Sequence, residues 1–143
     1  MMETAEIRRR LLQTIDRARR ENAVHRQEAD TASRHFDRFL SQVAAPIFRT
    51  LAQALRAEGH AFQVATPAGA IRLVSERSPE DFIELELDTT RRPVAILGRT
   101  RLARGRRLID RESVFFQGPA VDQLEDDHVL EFLLKELEPF VER

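Results

Sequence analysis

Residues 82–88 read FIELELD, and the fold predicted from this sequence is built outward from that stretch. Its odd-numbered residues are apolar, and from Glu84 onwards its even-numbered residues are acidic. Successive side chains of a strand point to opposite faces, so a period of two indicates a strand with one face buried and the other in water. We therefore predict a strand over these residues, with its odd-numbered side chains facing the core.

The same period of two extends on both sides of this strand, across residues 60–117. Turn-forming residues interrupt it at short intervals, at 66–69, at 78–81, at 89–93 and at Gly105. Such intervals leave no room for the crossover helices that parallel strands require. The pattern predicts an antiparallel meander of four or five strands.

A long helix is predicted before the strands, because residues 3–45 contain neither glycine nor proline. An eleven-residue stride keeps one side of a nearly straight helix apolar, and the residues at that stride are Ile7, Ala18, Ala29, Leu40 and Leu51. Pro46 predicts a kink in this helix. A break near residues 30–34, which would give a helical hairpin, is the alternative.

A further helix is predicted at the end of the chain. Asp122 and Glu125 form a capping-box pattern that indicates its start, and Pro139 indicates its end near Glu138. The predicted fold class is α+β: an N-terminal helical region, a four- to five-stranded antiparallel meander, and a C-terminal helix packed on the sheet. We expect an extended helical segment over residues 1–45, coiled-coil-like or docking to a partner, and a compact α+β domain over residues 46–143.

Composition excludes several classes of site. The chain has 143 residues and no cysteine, so disulfide scaffolds, thiolate metal sites and cysteine nucleophiles are excluded. The motifs GxxxxGK[ST], GxGxxG, HExxH and GxSxG are all missing. We expect no cofactor, and the missing motifs argue against an enzyme. The absence of a long apolar run or a signal-peptide pattern leads us to expect a cytoplasmic protein with no membrane span.

Acidic residues on the strand predicted at 82–88 are candidates for a metal site. Glu84, Glu86 and Asp88 are expected on one strand face, where a pair of carboxylates can bind Mg²⁺. The competing interpretation is a solvated face on which Arg72 of the preceding strand pairs with one of these carboxylates. We favour the second interpretation and expect no metal.

Arginine supplies 22 of the 23 basic residues and is concentrated in two places. One cluster lies in residues 8–20, and the other lies in a predicted hairpin over residues 91–111. The candidates for binding phosphate or an acidic partner are on the hairpin: Arg99, Arg101, Arg104, Arg106 and Arg107. Nucleic acid is therefore a second candidate partner, although no aromatic residue lies between these arginines to stack on a base.

Packing within one small domain does not account for the whole of the long N-terminal helix. Its apolar residues are concentrated near its two ends, around a polar middle at 19–35. An apolar helix end that lies far from a local core needs a partner to cover it. The predicted contact residues are Leu11, Leu12, Ile15, Phe36 and Phe39.

The leading functional hypothesis is a non-enzymatic interaction or regulatory protein that associates through its N-terminal helix, as a homodimer. The second hypothesis is a nucleic-acid-binding module that uses the arginine-rich hairpin. The third is a metal-dependent enzyme that uses the carboxylates of residues 82–88. No motif in the sequence identifies a family.

Overall fold

The fold is α+β, as the sequence predicts, and the computed structural model describes residues 1–142. Its elements are α1 (Thr4–Phe39), a π-helical turn (Leu40–Ala44), α2 (Ala45–Ala57), β1 (Phe62–Ala65), β2 (Ala70–Ser75), β3 (Phe82–Asp88), β4 (Ala95–Arg104), β5 (Arg107–Gln117), a 3-10 turn (Val121–Gln123) and α3 (Asp126–Val141).

The five strands form one antiparallel sheet in the order β1-β2-β3-β4-β5, so the predicted meander is confirmed. β3 lies in the middle, and Ile83 and Leu85 are fully buried on the face that the helices cover. Gly105 makes the predicted hairpin turn between β4 and β5 with a φ of +62°, a backbone conformation that favours glycine. The sequence of β3 alternates because one face of the strand is covered by the helices and the other carries its acidic residues.

The N-terminal helix does not fold back on itself. Residues 30–34 are helical, so the alternative of a helical hairpin is wrong. The interruption comes immediately before Pro46, where the N–H of Ala45 donates to the carbonyl of Leu40 and widens one turn into a π-helix. Proline has no N–H to donate, and here it stands in the first turn of α2, where helices tolerate it. The helix therefore continues past Pro46 to Ala57.

The core lies between one face of the sheet and the helices. The first fully buried residue of the chain is Ala32, and Phe36 and Phe39 follow it one and two turns later. α2 adds Phe48 and Leu55, and the sheet and α3 supply the remaining buried residues, among them Ile71, Leu73, Ile83, Leu85, Ile96, Val129, Leu133 and Leu137. Packing against the body thus begins well before Pro46.

The predicted ends of the last helix are wrong at both positions. Asp122 lies in the 3-10 turn, because the buried residue Leu124 takes an extended conformation and separates that turn from α3. The N-cap is Glu125, whose backbone N–H donates to Nδ1 of His128 at 3.0 Å.

At the other end of α3, Pro139 lies inside the last turn rather than beyond the helix, and the buried side chain of Phe140 packs against Phe62. That contact holds the last turn in place although Pro139 has no N–H.

Gly98 of β4 provides a test of how tightly α3 packs on the sheet. A Cβ atom at this position would lie 2.4 Å from Cε1 of Phe132, whose ring also makes an edge contact with Phe115. We expect Gly98→Ala to lower the free energy of unfolding by about 1–2 kcal/mol, because the ring must leave that contact. Urea denaturation measures the change. In a Phe132→Leu background the same substitution should cost clearly less, and an equal cost in both backgrounds contradicts this account of the packing.

Candidate interaction surfaces

The first 17 residues of α1 project from the body, and we call residues 4–20 the arm. Ile7, Leu11 and Leu12 of the arm are each more than half exposed, and Ile15 is half-buried. The side-chain hydrogen bonds described for the arm are local ones, such as those from Arg9 and Arg10 to Glu6. No described helix combines the length and the apolarity needed to cross a membrane. The arm is thus a charged helix about 25 Å long with an uncovered apolar stripe.

The direction of the arm is fixed where α1 passes the loop between β3 and β4. Nε2 of His25 donates to the carbonyl of Thr89 at 2.9 Å, and a guanidinium N–H of Arg92 donates to Oδ1 of Asn22 at 2.6 Å. The sequence shows only local partners for His25, such as Glu21, since a contact 64 residues away leaves no local signal. These two bonds anchor α1 to the β3–β4 loop immediately after the last residue of the arm.

The apolar stripe of the arm continues the core-facing side of α1. At about 100° per residue, Ile7, Leu11 and Ala18 lie within about 20° of Phe36 around the helix axis. Leu12 lies about 120° from that direction, so it borders the stripe rather than forming part of its centre. One side of α1 is therefore buried where the helix lies over the sheet and exposed where the helix continues as the arm.

Phe36 and Phe39 are unavailable to a partner, which corrects the prediction that they contact one. Both side chains are buried in the protein's own core, and Phe39 also contacts the ring of Phe115. Their spacing on the helix is that of any apolar stripe, and the stripe does not reveal which part of it the chain's own sheet covers. Of the predicted contact residues, Leu11, Leu12 and Ile15 remain on the arm.

The three carboxylates of β3 have separate partners. Oε1 of Glu84 accepts hydrogen bonds from Nε and Nη2 of Arg72 at 3.1 and 2.9 Å, so the predicted pairing across the strands is confirmed. Glu86 lies 3.6 Å from Arg99. Asp88 accepts hydrogen bonds from the hydroxyl and the backbone N–H of Thr90, which lower the pKa of its carboxyl group. Among residues 1–142, no three metal-ligating side chains lie together.

Glu84 differs from the expected solvated residue, since only 4% of it is exposed. Arg72 lies over it and also stacks on the ring of Phe82, with the guanidinium carbon 3.9 Å from the ring centroid. These contacts cover the carboxylate from the side of the sheet that faces away from the helices. The outward face of the sheet is therefore partly closed by its own charged side chains.

The predicted arginine site is largely neutralised within the chain. Arg99 lies 3.3 Å from Glu112, Arg101 lies 2.7 Å from Asp110, and Arg104 lies 3.7 Å from Glu142. Arg99 and Arg101 also line a cleft of about 430 Å³ with Glu112 and Asp110. Arg106 and Arg107, at the exposed tip of the hairpin, have no acidic partner in the described part of the chain. The structure thus separates three paired arginines from two free ones.

A second uncovered apolar stripe lies on α3, and sequence reasoning did not identify it. Leu130, Leu134 and Val141 are exposed, with Leu134 exposed by 54%. At about 100° per residue they fall within about 40° of one another, beside the buried row of Leu133 and Leu137. In the sequence they merge with that row into one broad apolar face. The only sequence signal for these three residues is that the apolar face of the helix is wider than packing against one sheet requires.

Comparisons with protein families, with curated proteins and with solved structures find no match to the chain. Only the geometry, burial and charge of these surfaces therefore bear on function.

The Arg72–Glu84 pair should stabilise the fold measurably. We expect Arg72→Met to lower the free energy of unfolding by about 3 kcal/mol, because it leaves a buried carboxylate without its described partner. Adding Glu84→Gln to this variant should recover most of the loss. The matched control is Arg99→Met, whose more exposed ion pairs should be worth about 1 kcal/mol or less. Equal losses in the two arginine variants, measured by urea denaturation, would show that burial of Glu84 is unimportant.

Proposed function

We propose that this protein is a non-enzymatic interaction or regulatory protein that forms a homodimer through the arm. One observation carries the proposal: the core-facing side of α1 continues along all 17 residues of the arm, where Ile7 and Leu11 are more than half exposed. Ile7, Leu11 and Ile15 form the centre of the proposed contact, and Leu12 forms its border.

Both the energy and the geometry of the arm support association. In proteins, helices are stabilised mainly by packing of their apolar face, and along the arm that face has no contact within the described part of the chain. Burial of one leucine or isoleucine side chain contributes about 1.5–3 kcal/mol, so two arms with three such residues each provide several times the energy of a single contact. In a two-fold dimer the same surface is used on both copies, and the assembly closes without leaving an arm free.

Replacing Leu11 and Ile15 together by Asp should convert the dimer into a monomer. Two charges on the apolar stripe cannot be buried without partners, so association should weaken by at least a hundredfold. Sedimentation equilibrium measures the mass, and thermal unfolding followed by circular dichroism should show that the body still folds cooperatively.

The control for this experiment places two aspartates on the opposite side of the arm and the turn that follows it. Gln13→Asp with Ala23→Asp introduces the same charge at exposed positions away from the stripe. This variant should remain a dimer. A monomeric wild-type protein at concentrations of about 100 μM, or a double aspartate variant that still dimerises, would overturn the proposal.

Arg106 and Arg107 favour a second candidate function, nucleic-acid binding through the hairpin tip, because they lack acidic partners among the described residues. Labelled random-sequence DNA and RNA, titrated at two salt concentrations and followed by fluorescence anisotropy, provide the test. Replacing Arg104, Arg106 and Arg107 by Ala should reduce the salt slope by about 0.9 for each arginine that contacts duplex DNA.

The matched control for the hairpin removes three arginines from α1 instead, at positions 9, 20 and 26. It lowers the net charge equally, so it should leave the slope unchanged if the hairpin makes the contact. No binding by the wild-type protein at low salt, or an equal change in both variants, eliminates this second function.

A further inference from the structure

We infer that the arm of one copy docks on the exposed side of α3 of a second copy, with its arginines against the acidic residues of that helix. This inference rests on the proposed dimer and specifies which surface of the second copy the arm covers. The covered stripe consists of Leu130, Leu134 and Val141.

Charge complementarity identifies this pair of surfaces. The arm carries six arginines and two acidic residues, a net charge of +4. α3 carries five acidic residues and Lys135, a net charge of −4. Each helix therefore combines an uncovered apolar stripe with an excess of the charge that the other one lacks.

The positions of the charges allow one arginine border of the arm to face the acidic border of α3. At about 100° per residue, Arg8 and Arg19 border one side of the arm's stripe, and Arg10 and Arg17 border the other. On α3 the acidic residues Asp127, Glu131 and Glu138 border the exposed stripe on one side, and the buried row of Leu133 and Leu137 borders it on the other. Charges that border an apolar stripe in this way select the partner helix and its orientation, as they do in coiled coils.

The same charges argue against pairing of one arm with the other arm. In an antiparallel pair of arms, the arginine borders of the two helices would face each other. Like charges across an interface oppose association and thereby exclude the wrong partner. The acidic helix is the surface of this chain on which the arm's charges are compensated.

The arm cannot reach α3 of its own copy. α1 is one uninterrupted helix over 36 residues, and the bonds of Asn22 and His25 to the β3–β4 loop fix its direction away from the body. The lengths nevertheless match, since 17 residues of arm and 16 residues of α3 span about 25 and 24 Å. A second copy is the occupant that satisfies both conditions.

Charge reversal tests this arrangement. Arg8→Glu with Arg19→Glu, and separately Glu131→Arg with Glu138→Arg, should each weaken self-association at least tenfold, as measured by sedimentation velocity over a concentration series. A chain that carries all four substitutions should dimerise again, within roughly threefold of the wild-type Kd, because both borders are reversed together. The control is Arg9→Glu with Arg20→Glu, which changes the same charge on the opposite side of the arm and should have little effect.

The outcomes separate this inference from the proposed function. If the Leu11→Asp, Ile15→Asp variant is monomeric but reversal at Glu131 and Glu138 changes nothing, the arm mediates association on another surface and this inference is wrong. Failure of the fourfold variant to regain the dimer, while each double variant folds normally, is equally decisive against it. If no variant changes the mass, both the inference and the proposed function fail.

Discussion

The length of the N-terminal helix relative to the sheet determines the rest of the molecule. Residues 4–57 are helical throughout, a length of about 80 Å, whereas five strands placed side by side span only about 24 Å. A helix that is anchored by Phe36, Phe39 and Phe48 over such a sheet must extend beyond it. The arm is therefore a geometric consequence of where the phenylalanine residues lie, and its apolar stripe is the part of a core-facing side for which this chain has no core.

The strands and their order could be predicted from the sequence because their signals are local. A period of two over residues 82–88 needs no knowledge of the partner strands, and short turns permit only antiparallel neighbours. The helix boundaries near Asp122 and Pro139 could not be predicted, since each depends on a distant contact. Burial of Leu124 separates the 3-10 turn from α3, and the contact of Phe140 with Phe62 carries α3 past its proline.

The candidate sites show the same limit more strongly. Spacing along the helix placed Leu11 and Phe36 on one stripe, but it could not reveal that the sheet ends between them. Composition showed an arginine-rich hairpin, but only the register of β4 against β5 shows that Arg99 faces Glu112 and Arg101 faces Asp110. Charge that looks unbalanced along the chain is balanced across the sheet. At the tip of the hairpin, Arg106 and Arg107 have no acidic residue opposite them in this register.

The π-helical turn before Pro46 brings the buried residues of α1 and α2 closer to the same side of the long helix. One extra residue in a turn advances the chain by about 100° around the helix axis. Without it, the buried row of α2 around Phe48 would point about 150° away from the row formed by Phe36 and Phe39, and one sheet could not bury both. The turn removes about two thirds of that offset. The same turn relates the arm to α2, because Leu11 lies in line with Phe36 on α1 and therefore faces towards the side on which α2 buries Phe48.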